Sequence, residues 1–466
     1  TAGTKGLQPW ENQPSESRKG IKIEPFFSTP GRHPFEEIEW ETRQVKITDD
    51  TGKPIFEQND VEVPVSWSQL ATKVVVSKYF YGEVRSEQRE NSVKQLVHRV
   101  CRTIADRGRS SGYFQTEQDA ENFYQELTWL CANQYGSFNS PVWFNVGLFD
   151  VYHIDGSPHN YHWNDHLNKA VPCSNSYEYP QASACFIQSV EDTMEDIMRL
   201  ARSEAMLFKH GSGTGTDLST LRSSREKLSG GGRPSGPLSF MRVYDQIAAV
   251  IKSGGKTRRA AKMQSLKVGH PDIKEFITCK TEEEKKAWAL IEQGYDPNVA
   301  YESIMFQNSN LSVRLTDDFL EAVEKDASWT TRSITDGREL DTYSARQLMQ
   351  LIAEGTRICG DPGVQYHSTI NKWHTCPQSG PINASNPCSE YMFIDNSACN
   401  LASLNLMKFR NDNGSFHIKR FKQAVRLFII AQEILVDTGS YPEPQITENS
   451  HRFRPLGLGF ANLGSL

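Results

Sequence analysis

Asn386, Cys388 and Glu390 stand at a spacing of two in the run Asn386-Pro387-Cys388-Ser389-Glu390. They offer an amide donor and acceptor, a thiol, and a carboxylate able to take a proton. Pro387 biases Asn386 away from helix toward an extended backbone. In an extended chain, residues i, i+2 and i+4 share a face. The spacing therefore predicts that the three groups converge on one small volume. A further thiol, Cys399, follows eleven residues later. The competing reading is structural, because an isolated cysteine usually serves as a small buried hydrophobe. The same alternative holds for Cys185, which lies in a strand-like pattern.

Such a site needs a scaffold, and 466 residues can bury a substantial core. Length predicts two or three domains or one large α/β barrel. With 37% hydrophobic and 23% charged residues and a net charge of −6, the chain shows no general attraction to nucleic acid or anionic membrane. No apolar run approaches transmembrane length, and no basic-then-apolar signal pattern opens the chain. Nine cysteines, an odd number scattered over a long chain, fit a reducing, cytoplasmic setting better than a disulfide framework. Neither CxxC nor HExxH occurs, so no dedicated metal site is expected. The chain begins at Thr1 and stops at Leu466, in an apolar stretch after Arg454 that reads as entering a helix. It reads as the N-terminal portion of something longer.

Residues 1–65 are rich in Pro, Gly and charge, and read as an extended arm with short strands near Val45 and Val61. Residues 66–135 read as a helical unit. One helix opens at Ser92 with Gln95 three residues on, a capping box, and lines up Val93, Leu96, Val97, Val100 and Ile104. A second opens at Thr116. From 136 to 466 short apolar strands alternate with amphipathic helices, which predicts a parallel α/β sheet or barrel. Strands are expected over 183–190 and 310–315. Helices are expected after Asp192 as cap, over 344–357 and over 419–436.

Two glycine-rich stretches lie in that region. His210-Gly-Ser-Gly-Thr-Gly-Thr216 is expected as a loop ending a helix, where backbone N–H groups can approach an anion. It closes with no Gly-Lys-Ser/Thr, so it is not a Walker A loop. Ser253 to Lys262 gathers cations beside two glycines, a pattern suited to a solvated loop or to phosphate binding.

Seven segments in register resemble the ribonucleotide reductases, in texture the adenosylcobalamin-dependent class II type. They are Phe138–Asn145, Ser183–Phe186, Gly211–Asp217, Gly254–Ala261, Asn386–Glu390, Ser397–Ala402 and Arg454–Gly459. The resemblance implies a ten-stranded α/β barrel of two five-stranded halves, with a finger loop threading the centre and Cys388 at its tip. This chain would supply the N-terminal region, the first half-barrel, the finger loop and the start of the second half. It would lack the family's later phosphate loop and C-terminal cysteine pair.

By the same resemblance Cys388 becomes a thiyl radical, generated with adenosylcobalamin, and removes the ribose 3′ hydrogen. Glu390 acts as general base, and Asn386 holds the ribose hydroxyls. Cys185 and Cys399 deliver two electrons and close a disulfide. Ser140, Ala184 and Gly213 are placed near the ribonucleotide substrate, although the family often has Ser where Ala184 stands. The loop around Lys256, Arg258 and Arg259 resembles the segment that links a deoxynucleotide effector to substrate choice, and Asp192 resembles the acid that contacts the effector ribose. A homodimer and an external dithiol reductant such as thioredoxin are the implied partners. The expected activity is the reduction of ribonucleotides, as diphosphates, to 2′-deoxyribonucleotides. Two alternatives stay open: a non-catalytic half that binds effectors and needs a second polypeptide, and the large subunit of a di-iron reductase.

Overall fold

The computed structural model describes residues 20–49, 51–251 and 260–466. Its first described layer is an antiparallel hairpin, β1 (Trp40–Thr48) with β2 (Pro54–Pro64). Inward residues Val45, Val61 and Val63 enter the same core as the helices that follow. Those helices are α1 (Val93–Ser110) and α2 (Glu117–Ala132). Ser92 and Gln95 form the expected reciprocal capping box, and Thr116 caps α2.

The chain then builds a curled sheet from strands separated by helices. Its first block contains β3 (Cys185–Gln188), β4 (Gly213–Asp217), β5 (Lys262–Lys267), β6 (Ser309–Leu315) and β7 (Gly363–Tyr366). Each pairs in parallel with its sequence neighbour. The connecting helices are α3 (Met194–Lys209), α4 (Pro237–Val250), α5 (Ile273–Glu292) and α6 (Ala345–Cys359). Parallel strands need such crossovers, and the pattern of alternating elements predicted them.

After β7 come two short paired strands, β8 (Ala384–Ser385) and β9 (Met392–Phe393), flanking the Asn386–Glu390 turn. Strand β10 (Ser397–Asn405) then runs antiparallel to β3, and β11 (Leu456–Ala461) pairs in parallel with β10. Between them the long helix α7 (Ile418–Thr438) packs Ala424, Leu427, Phe428 and Ala431 into the N-terminal core. The result is an eight-stranded sheet: a five-stranded parallel half-barrel, the two strands of opposite direction, and the short strand Gly136–Phe138 paired antiparallel with β10.

Strand β6 shows how the wall divides its faces. Leu311, Val313 and Leu315 pack outward under the helices with Leu266, Phe276, Leu348 and Ile352. The alternate residues, Asn310, Ser312 and Arg314, face the bore. On the outer side of β5, Lys262 is wholly buried and ion-paired with Glu204 of α3. Its ammonium also lies 4.7 Å from the Tyr244 ring centroid.

Three local expectations change. Residues 213–217 are a buried strand, not a loop, and the reason is steric. A Cβ on Gly215 would meet the Ser385 carbonyl oxygen at 1.7 Å, and one on Gly213 would meet Pro387 at 3.0 Å. These glycines make room for a chain crossing the strand. The cap of α3 is Thr193, which accepts from the Asp196 N–H, rather than Asp192. The segment after Arg454 enters strand β11, not a helix, because β10 offers it a parallel edge. No helix among the described residues is long and apolar enough to cross a membrane.

Candidate active site

The Asn386–Glu390 segment is a turn rather than extended chain. The Ser389 N–H donates to the Asn386 carbonyl at 3.1 Å, and Ser389 takes a φ of +63°. Pro387 still keeps Asn386 out of helix, but the chain reverses within the next two residues. The amide, thiol and carboxylate are therefore not three teeth on one strand face. Cys388 and Glu390 are exposed, whereas Asn386 is fully buried.

Cys185 is the group on which the amide and the carboxylate meet. Asn386 Nδ2 donates to Cys185 Sγ at 3.0 Å, and the Cys185 thiol donates to Glu390 Oε1 at 3.4 Å. Cys399 is the register partner of Cys185 across the β3–β10 ladder. Directly opposed antiparallel residues have Cα atoms about 4.5–5.5 Å apart. That lies inside the limit of about 7 Å for a disulfide. Both sulfurs are buried and reduced. Burial, reinforced by the Glu390 carboxylate, pushes the Cys399 thiol up to about 12. Burial, followed by Glu390 and Cys399, also raises Cys185 well above its ordinary value. Both thiols therefore keep their hydrogens at neutral pH.

The loop is held on several sides. Asn386 Oδ1 accepts from the Tyr391 N–H at 2.9 Å, and the Tyr391 hydroxyl donates to Ser397 Oγ at 2.8 Å. Asn310 Nδ2 donates to the Pro387 carbonyl at 2.9 Å. Tyr391 and Asn310 escape the sequence reading. The polar alternation along Asn310-Leu-Ser-Val-Arg314 is a signal that could have revealed the bore-facing set.

Ala184 and Gly213 lie beside this cluster, the Gly213 N–H donating to the Ala184 carbonyl at 2.7 Å. Ser140 follows Asn139, whose N–H donates to the carbonyl of Leu401, two residues along β10 from Cys399. The Ser140 hydroxyl shares a hydrogen bond with Tyr79 at 2.9 Å. Asp192 stands apart from the thiols, ion-paired with Arg222. Lys256, Arg258 and Arg259 lie outside the described residues.

Two of the parallel strands, β4 and β5, end on charged residues. Asp217 of β4 faces Lys267 of β5 at 3.6 Å, and Lys267 donates to Asn383 Oδ1 at 3.0 Å. Burial raises Asp217 above the usual carboxylate range, opposed by Lys267 and two serine hydroxyls.

Sequence comparison places this half-barrel, with its thiol-bearing loop against the inner wall, in a known class of barrel proteins. Residues 183–466 match the family model described as the ribonucleotide reductase barrel domain. Residues 41–134 match the class II vitamin B12-dependent ribonucleotide reductase family. The chain belongs to the class II, vitamin B12-dependent ribonucleotide reductases. It is 64% identical to the vitamin B12-dependent ribonucleotide reductase of Rhodopirellula baltica, over 96% of this chain and 44% of that protein. It is 45% identical to the Streptomyces clavuligerus protein of the same name, over 97% of this chain and 45% of that protein. A vitamin B12-dependent ribonucleoside-diphosphate reductase of Mycobacterium tuberculosis is 33% identical over 61% of this chain and 38% of its own length. The chain thus spans less than half the length of the curated relatives it matches.

Proposed function

We propose that this chain carries the radical centre of an adenosylcobalamin-dependent reductase that converts ribonucleoside diphosphates to 2′-deoxyribonucleotides. The observation that carries the reading is the convergence of Asn386, Glu390 and Cys399 on Cys185, beside an exposed Cys388. The name of the Mycobacterium relative supports the diphosphate as substrate.

The residues fit such a cofactor in one testable respect: Cys388 is exposed while the other two thiols are buried. A bulky group can reach the first and not the second. Adenosylcobalamin, when bound, supplies an organic radical, and Cys388 is the residue that would face it. Cys388 in its thiyl form takes the ribose 3′ hydrogen. Glu390 removes the 3′-hydroxyl proton, which needs hydrogen-bond reach to that oxygen. Asn386 orients the hydroxyls, and the 2′ oxygen leaves as water. Cys185 and Cys399 give up two electrons and two protons and become a disulfide. Cys388 then returns its hydrogen to C3′. High thiol pKa values suit this role, since hydrogen transfer needs S–H rather than thiolate.

An external dithiol such as thioredoxin would restore the pair. Ser140, Ala184 and Gly213 would border the ribose. Asp192 would exchange Arg222 for an effector deoxynucleotide in a homodimer, and Lys256, Arg258 and Arg259 would link that effector to substrate choice. The decisive experiment assays CDP and CTP reduction with adenosylcobalamin and a dithiol. It uses the full-length enzyme and this chain alone, each with Cys388→Ala. Reduction that requires Cys388 supports the reading, and reduction that survives Cys388→Ala overturns it.

A further inference from the structure

One amide ties together both flanks of the turn that presents Cys388. Gln365 lies on β7 and is 4% exposed. Its Nε2 donates to Ser385 Oγ at 2.7 Å and to Ser389 Oγ at 3.0 Å, on opposite sides of the Pro387–Cys388 tip. Its Oε1 accepts from Arg314 Nη1 at 2.7 Å. Arg314 is fully buried, and a guanidinium can only donate. It therefore fixes the amide with Oε1 inward and both Nε2 hydrogens toward the serines. Arg314 is itself held by the Ile382 carbonyl at 2.9 Å and by His367 Nδ1 at 3.0 Å. His367 accepts as a neutral ring, since burial and then Arg314 lower it to about 4.

Ser389 has reason to need the clamp. Its φ of +63° lies in the left-handed region, which a residue with a Cβ occupies only when its surroundings over-determine it. It also sits between Cys388 and Glu390. A rotation at Ser389 turns the thiol and the carboxylate relative to each other.

We propose that Gln365, oriented by Arg314, is a positioning residue that locks Ser389 left-handed and so sets Cys388 and Glu390 relative to Cys185. Asn310, bonded to the Pro387 carbonyl, steadies the tip from the neighbouring strand. The inference rests on the reading of Cys388 as the radical centre. A displacement of about 1 Å at a reacting group can cost about a hundredfold in rate.

The test uses the full-length enzyme with adenosylcobalamin and CDP. It compares Gln365→Leu, Ser389→Ala, the double variant and Cys388→Ala. Each single variant is expected to lower kcat about 10- to 100-fold with KM within about threefold. The double variant should be no slower than the slower single, because both remove the same contact. Amide exchange should speed up in residues 384–391 and stay unchanged in β4. Should Gln365→Leu fail to fold, the half-buried Ser389→Ala carries the test through kcat and exchange. Additive losses in the double variant would refute the clamp. So would wild-type kcat in the single variants alongside an inactive Cys388→Ala. Turnover surviving in Cys388→Ala would remove the radical-centre reading, and this inference with it.

Discussion

Asn386 Nδ2 donates to Cys185 Sγ at 3.0 Å, joining positions 201 residues apart in sequence. That bond, not an extended spacing of two, gathers the candidate site. It places a neutral donor and the Glu390 carboxylate on the same sulfur, so Cys185 and Cys399 should behave as one buried unit distinct from Cys388.

Alkylation should separate the two kinds of thiol. At pH 8 iodoacetamide should modify Cys388 well before Cys185 or Cys399 in the folded protein. The raised native pKa of the buried pair keeps both protonated where an unfolded cysteine, near 8.5, is already ionising. Their protection should persist to about pH 10 and vanish in urea. Mild oxidation should then give a Cys185–Cys399 cross-link, read by peptide mass mapping and abolished by Cys185→Ser. Equal labelling of all three sulfurs at pH 8 would contradict the structure.

Gly215→Ala should be among the most damaging single-methyl additions in the chain. Its Cβ would overlap the Ser385 carbonyl oxygen, a backbone atom that moves only with the whole loop. Overpacking of this kind costs about 1–3 kcal/mol or more. Gly459→Ala, whose new Cβ would find its nearest neighbour at 3.7 Å, is the matched control. Thermal melting and amide exchange of residues 384–391 should both single out Gly215→Ala. Indistinguishable melting curves would mean that loop and strand are not in contact.

Lys262→Ala should destabilise by about 3–5 kcal/mol, because it leaves the buried Glu204 carboxylate uncompensated. Burial already depresses Lys262 well below the ordinary lysine range. Replacing both members, Lys262→Met with Glu204→Leu, should recover most of the loss, since well-packed apolar side chains often match a buried ion pair. The check is the melting temperature of the wild type and the two variants. A double variant less stable than Lys262→Ala would refute the expectation.

The buried Asp217 predicts a pH dependence. Its native pKa is raised by burial, so its contribution is fully present below the unfolded value near 3.9. That contribution is lost as pH rises through the higher native value. Asp217→Asn cannot titrate and keeps an acceptor for Ser219, which donates at 2.8 Å. Its melting temperature relative to wild type should therefore rise between pH 4 and pH 7. A difference that falls over that range would reverse the sign.

Much of this architecture is legible in the chain, and the failures share one cause. Capping at Ser92 and Thr116 and the apolar stripes of the helices are local, so nearest neighbours decide them. The strand at Gly213–Asp217 is not local in this sense. Its glycines look like a loop because their purpose, clearance for Ser385 and Pro387, is set by a segment far along the sequence. The spacing of Asn386, Cys388 and Glu390 is visible, but the left-handed Ser389 that reverses the chain is not. Gln365 carries no signal at all, being an ordinary residue of a short strand until the loop returns to meet it.

The ladder between β3 and β10 has three register pairs, and Cys185 with Cys399 is the pair at its end. That short joint connects the parallel half-barrel to strands of the opposite direction. With the sulfurs apart, the last rung is free to fray. With them bonded, it becomes a rivet. The oxidation state of two buried atoms and the mechanical stiffness of the seam between the two sets of strands are thus a single variable.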